Sequence, residues 1–350
     1  MGKILFVLLG WLFLSHHAFA QSIKRFEVEG QYGMIIPHSP AVRDISKPNP
    51  WGINLSYSSL GLSKEHWRAC NCFYYTGVSL AYHNFMDPEV LGTASSAALF
   101  FEPILYSNER IELTLRSGMG LSYVSEYFDE ETNPENVFFS IPLNFMLFIN
   151  PRVNYLVNDY LQLNLSFTFN HISNGGQSLP NYGMNFPMVG LGASYLVDHQ
   201  PKPSYTAPSV SHKMQYYAEV FGTFNLRVAG ANLKPSYGIS GGAYYNIGAN
   251  NALGGGVEAN FDRSLGVDEE EEVEGFITAP YISHHFLIGR FDFSQRIAYY
   301  LFKPEGYVPF NFFQRYTLTM QVTPRFKAGV SLKTHRAIAD NVDLRVGFLF

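Results

Sequence analysis

Between Tyr160 and Ser173 the chain alternates residue by residue. Leu161, Leu163, Leu165, Phe167 and Phe169 take one phase, and Gln162, Asn164, Ser166, Thr168 and Asn170 take the other. Successive side chains of a β-strand point to opposite faces, so the segment reads as a strand with one apolar and one polar face. A soluble sandwich with its apolar face turned inward produces the same pattern. What a chain of such strands encloses has to come from other features.

The last ten residues are one of them. Val342, Leu344, Val346, Phe348 and Phe350 alternate with Asn341, Asp343, Arg345 and Gly347, and the final residue is phenylalanine. An alternating last strand closed by Phe resembles the signal read by the outer-membrane assembly machinery. Composition agrees: 47% of residues are hydrophobic and 16% aromatic, with only 15% charged. Beyond the N-terminal segment, no window offers the roughly 20 continuous apolar residues of a spanning helix. The expectation is an all-β fold, a transmembrane antiparallel outer-membrane β-barrel. The net charge of −5 gives no basic face for nucleic acid.

Alternating runs recur near 26–36, 51–60, 72–82, 94–106, 110–125, 137–157, 160–173 and 184–197. A second set follows near 213–227, 234–248, 252–264, 274–285, 288–302, 311–322, 326–336 and 341–350. This predicts about 14–16 strands. Connections alternate between long polar ones (Asp129–Asn136, Asn174–Tyr182, Val267–Glu274, Lys303–Pro309) and tight ones (Ser107–Glu109, Asn158–Asp159, Ala249–Asn251, Thr323–Pro324). Long loops outside and short turns inside is the barrel asymmetry. Leu60–Asn71 and Asp198–His212 break it, and the latter carries Pro201, Pro203 and Pro208 as a linker would. The expected division is a signal peptide at 1–20, a first barrel half at 21–197, a proline-rich linker at 198–212 and a second half at 213–350. One barrel closed by the strand near Phe26 against the strand ending at Phe350 is expected; an eight-stranded barrel followed by a second β half is the alternative.

The signal peptide rests on Lys3, the apolar run Ile4–Leu14 and the small-x-small site Ala18-Phe19-Ala20, which predict export and a mature start at Gln21. Cys70 and Cys72 stand two residues apart and predict free thiols or a labile bond. No metal site or cofactor is expected. The acidic run Asp268–Glu272 reads as a solvated external loop.

Chemistry concentrates in His171-Ile172-Ser173-Asn174-Gly175-Gly176, followed by Pro180-Asn181-Tyr182-Gly183. Residues i and i+2 of a strand share a face, so His171 and Ser173 point the same way as Leu165, Phe167 and Phe169. Polar side chains turned toward lipid are costly and suggest function. A serine hydroxyl becomes a nucleophile when an imidazole takes its proton. Asn174 and the backbone N–H groups of the glycines are candidate oxyanion donors. The alternative is a loop-end His and Ser hydrogen-bonding among lipid headgroups.

These residues resemble the outer-membrane lipid A 3-O-deacylase (acyloxyacyl hydrolase) family, marked by His-x-Ser-Asn-(Ala/Gly)-Gly and then Pro-Asn-x-Gly. The resemblance covers the first half of the chain only. It implies Ser173 as nucleophile, His171 as base, and Asn174 with Gly176 as the oxyanion hole. The family's orienting glutamate falls two residues after the glycine of Pro-Asn-x-Gly, where this chain has Asn185. The function implied is a serine esterase removing an ester-linked acyl chain from lipid A of lipopolysaccharide in the outer leaflet. A non-enzymatic pore or scaffold with a decayed motif is the alternative. His335, near the end of the second half's penultimate strand, is expected to point into the lumen as polar packing.

Overall fold

The computed structural model describes residues 22–350 except 176, 207–211, 226–233, 249, 265–274 and 337. The acidic run at 268–272 therefore lies outside the described residues. Among the described residues sixteen strands form two closed antiparallel barrels of eight. The first comprises β1 (Ser22–Gly33), β2 (Trp51–Gly61), β3 (Tyr74–Asn84), β4 (Thr93–Ser107), β5 (Ile111–Val124), β6 (Leu143–Leu156), β7 (Leu161–Ser173) and β8 (Met184–Val197). The second comprises β9 (Met214–Asn225), β10 (Lys234–Asn246), β11 (Asn251–Asp262), β12 (Phe276–Ile288), β13 (Phe291–Tyr299), β14 (Phe312–Gln321), β15 (Phe326–His335) and β16 (Ile338–Leu349). No helix among the described residues is long and apolar enough to cross a membrane; in an outer-membrane barrel the strands do so.

The alternation sorts side chains as a lipid-facing barrel requires. On β1, Phe26 and Val28 are 51% and 50% exposed, while Arg25, Glu27 and Glu29, which alternate with them, are buried. The lumen of the first barrel holds a balanced network. Arg116 reaches Glu27 at 3.0 Å and Glu102 at 2.7 Å, Arg152 reaches Glu27 and Glu29 at 2.8 Å each, and Arg25 binds Glu102. Three guanidinium groups thus meet three carboxylates. The second lumen repeats the design with Arg296, Arg345 and Lys327 on Glu219, and Arg315 between Glu258 and Asp343. Eight strands leave an interior just wide enough for side chains to fill, and these fill it.

Single closure is the expectation that fails. β1 closes on β8, with Phe26 opposite Tyr195, and β9 closes on β16, with Phe348 opposite Ala218. The chain therefore follows the alternative of two successive eight-stranded units. The physical reason lies in the lumen: sixteen strands would open a wide aqueous interior and pull the paired charges apart, whereas each set of eight keeps its own ions in contact.

In the first barrel, the odd strands leave at one rim, where the connections 34–50, 85–92, 125–142 and 174–183 gather. They bring Ile35, Val42, Ile45, Phe85, Leu91, Phe138 and Phe139 into an apolar cap that also holds Ile172, Met184 and Phe186 of the barrel wall. The opposite rim is closed by Ile23, Leu60, Leu62, Tyr75 and Leu196. There the connection after β2 carries a short helix, Lys64–Arg68, and a Cys70–Cys72 disulfide, so the bond rather than the free thiols is formed. The β12–β13 turn docks on this connection through Arg290 N–H to the Ala69 carbonyl at 2.9 Å.

Candidate active site

β7 and β8 are paired so that His171 lies opposite Asn185 at the capped rim. The His171 Nδ1 is 2.7 Å from Asn185 Oδ1, and its Nε2 is 3.0 Å from Ser173 Oγ. An amide oxygen only accepts, so with Nδ1 donating to Asn185 the Nε2 lone pair is left to receive the serine proton. Strand geometry supplies this arrangement without a special turn: Ser173 shares a face with His171 two residues before it, and Asn185 sits beside His171 on the neighbouring strand. That face is the membrane one, with Leu165, Phe167 and Val189 about half exposed below the site and Phe145 opposite Ser173.

The connection 174–183 folds back over the pair. Asn174 is buried, and both hydrogens of its amide are engaged, to Ser140 Oγ at 3.0 Å and to the Ser178 carbonyl at 2.8 Å. Its backbone N–H donates to Asn181 Oδ1 at 3.1 Å, and its Oδ1 accepts from Gln177 N–H at 3.1 Å. The side chain expected at the oxyanion thus fastens the turn in this structure. Gly176, the other expected oxyanion donor, lies outside the described residues. Gly175 and Gly183 both have positive φ, +69° and +66°, a region that glycine enters without steric cost. At Gly183 a side chain is excluded twice over, because a Cβ there would stand 2.9 Å from His171 Cε1 and 3.0 Å from Ser173 Cβ.

Several partners of the motif residues carry no sequence signal. Tyr182 and Gly183 donate their N–H groups to the Val137 and Phe138 carbonyls at 3.1 and 3.2 Å. The Tyr182 carbonyl faces His38 Nε2 at 3.1 Å. Ile36 N–H donates to the Asn185 carbonyl at 2.8 Å. Apart from the His38 ring these contacts run between backbone groups, and the motif names none of the partners Ile36, His38, Val137 and Phe138.

In the second barrel, His335 is buried with Tyr300 Oη 2.7 Å from its Nε2, the lumen packing expected of it. A second Ser–His–carboxylate chain went unforeseen: His285 Nδ1 is 2.8 Å from Asp292 Oδ1 and Nε2 is 3.0 Å from Ser283 Oγ. All three face the lumen. The His285 ring is fully buried, 4.6 Å from Tyr244, and Asp292 lies 3.8 Å from Lys327. This chain laces β12 to β13 inside the barrel and offers no hydroxyl to the membrane.

Residues 51–194 match the lipid A 3-O-deacylase family, and residues 210–350 match the acyloxyacyl hydrolase C-terminal domain. Among solved structures, the outer-membrane enzyme PagL is 14% identical over 47% of this chain and 97% of its own, with a TM-score of 0.35. An outer-membrane protein of Acinetobacter baumannii is 11% identical over 94% of this chain and 99% of its own, with a TM-score of 0.20. A porin of Rhodopseudomonas blastica is 8% identical over 94% and 100%, with a TM-score of 0.20. No curated protein matches the chain.

Proposed function

We propose that this chain, which belongs to the lipid A 3-O-deacylase family, is an outer-membrane serine esterase that removes an ester-linked acyl chain from lipid A. The observation that carries the reading is the unbroken Ser173–His171–Asn185 hydrogen-bond chain on the membrane face of the capped rim. Long connections mark that rim as the outward one, the side on which lipopolysaccharide lies.

In the reaction, Ser173 Oγ attacks the ester carbonyl while His171 Nε2 takes its proton. The tetrahedral intermediate collapses as His171 returns that proton to the departing sugar or acyloxy oxygen, leaving an acyl group on Ser173. Water, deprotonated by the same nitrogen, then releases the fatty acid and restores the serine. Asn185 holds the productive tautomer but adds no charge to balance the imidazolium. The oxyanion is assigned to a glycine backbone N–H, that of Gly175 or Gly176, while Asn174 fastens the connection through Ser140 and Ser178. The substrate enters sideways, its acyl chain lying along Phe145, Phe167 and Val189.

The segment 1–20 is assigned to export, and the strand ending at Phe350 to recognition by the assembly machinery. A pore is disfavoured by the buried ion networks in both lumens. A scaffold with an inert motif is the reading that remains if catalysis fails. Rates of fatty-acid release from lipid A in detergent micelles test the proposal. Ser173→Ala, His171→Ala and the double variant should each lose activity to the same floor, because a nucleophile and its base act as one unit. Wild-type rates in Ser173→Ala would overturn it.

A further inference from the structure

We propose that His38 is a positioning residue for the catalytic pair, resting on the esterase reading above: it ties the β1–β2 connection to Tyr182 and so holds Gly183 against the His171 ring. His38 is far from the motif in sequence. Its Nε2 stands 3.1 Å from the Tyr182 carbonyl and its Nδ1 3.2 Å from the Ile36 carbonyl. Carbonyls only accept and a neutral imidazole carries one N–H, so the ring donates to one of the two; in the tautomer proposed the proton sits on Nε2, facing Tyr182.

The segment carrying His38 is itself anchored. Met34 and Ile36 donate to the Pro187 and Asn185 carbonyls at 3.1 and 2.8 Å, which extends the edge of β1 along the start of β8. Just beyond, Val42 is fully buried in the apolar cap and Ile45 nearly so. One short stretch thus touches the backbone of Asn185 and, through His38, the peptide before Gly183. The Tyr182 unit is held from two directions: its N–H by Val137, and its carbonyl by His38.

What this clamp controls follows from the missing Cβ. Gly183 lies so close that a methyl group there would stand 2.9 Å from Cε1 of His171, the atom between the two working nitrogens. The peptide backbone at 182–183 forms the wall against which the imidazole rests. If the wall moves outward the ring is free to turn, and its two hydrogen bonds at 2.7 and 3.0 Å can no longer be held together.

The test uses the full chain refolded in detergent, with His38→Ala and His38→Gln. In His38→Ala, kcat on lipid A should fall on the order of 10- to 100-fold, the scale for misplacing a catalytic group by about 1 Å. KM should stay at its wild-type value, and so should heat-modifiable migration. Hydrogen–deuterium exchange should quicken in peptides spanning 181–185 and nowhere else in the barrel wall. His38→Gln, which keeps an N–H donor, should recover most of both readouts. Unchanged exchange at 181–185 in His38→Ala, an unchanged kcat, or a glutamine variant no better than alanine would each overturn the proposal. A wild type that releases no fatty acid would sink the esterase reading instead, and the exchange measurement would still decide whether His38 makes the tie.

Discussion

Replacing Asn185 by aspartate tests the proposed role of His171 as proton carrier. The two side chains are the same length, so the 2.7 Å contact to Nδ1 is retained while a neutral acceptor becomes a charged one. Two effects follow. An amide can turn either its oxygen or its NH2 toward the ring, whereas a carboxylate offers only oxygens, so Nδ1 is fixed as the donor and Nε2 as the base. In the proposed reaction the ring becomes positive as Ser173 attacks, and charge centres roughly 4 Å apart attract by ~4 kcal/mol at an effective dielectric of about 20. Desolvating the carboxylate at the membrane surface offsets much of that. If about a third survives, the barrier falls by ~1.4 kcal/mol, a tenfold rate increase. Initial rates of acyl release at saturating lipid A should therefore rise on the order of 10-fold in Asn185→Asp. Asn185→Glu should also gain, but less, since an extra methylene must be accommodated in a gap set for the shorter side chain. Asn185→Ala should lose rate. If Asn185→Asp, folded as judged by heat-modifiable migration, ran no faster than wild type, imidazolium formation on His171 would not be part of the rate-limiting step and the mechanism would need revision.

Gly183→Ala should cut activity on the order of 100-fold by displacing the His171 ring, with a stability loss of only about 1–2 kcal/mol for the left-handed backbone; fatty-acid release and thermal unfolding read the two separately. Glu27→Ala should destabilise the first barrel by about 3–5 kcal/mol, because three buried guanidinium groups then face two carboxylates; urea titration of the folded band on gels measures it. Cysteines at Val28 and Ala193, cross-strand partners at the closure of the first barrel, should cross-link, whereas cysteines at Phe26 and Phe348 should not; the opposite pattern would restore a single large barrel.

The strands were legible because a lipid-facing barrel turns its apolar side chains outward along every strand, so Leu161 to Phe169 and Val342 to Phe350 spell strands by period, and the closing Phe separates a barrel from a sandwich. Closure was not legible. The outer face of β1 offers Phe26 and Val28 to any similar edge, and nothing local distinguishes Tyr195 from Phe348 as a neighbour. The choice is made in the lumen, where Glu27 meets Arg116 and Arg152 across long sequence separations. The shared face of His171 and Ser173 was readable from strand period, and the place of Asn185 beside them from the family resemblance. The role of Asn174 was not, since a sequence shows that an amide is present but not that Ser140 and Ser178 engage both of its hydrogens. Val137 acts through its backbone carbonyl, which leaves no mark on residue identity, and the His38 ring meets Tyr182 across a sequence separation that no local pattern spans. The Ser283–His285–Asp292 chain shows the converse: good hydrogen-bond geometry that burial in the lumen separates from any lipid substrate.

Mass spectrometry of lipid A from cells producing the wild-type chain, set beside cells producing Ser173→Ala at equal folded levels, tests the central claim most directly. The account predicts that wild type shifts the lipid A population by the mass of one ester-linked acyl chain, with the matching free fatty acid recovered, and that Ser173→Ala leaves lipid A intact. Identical spectra from the two, whether both shifted or both intact, would contradict it.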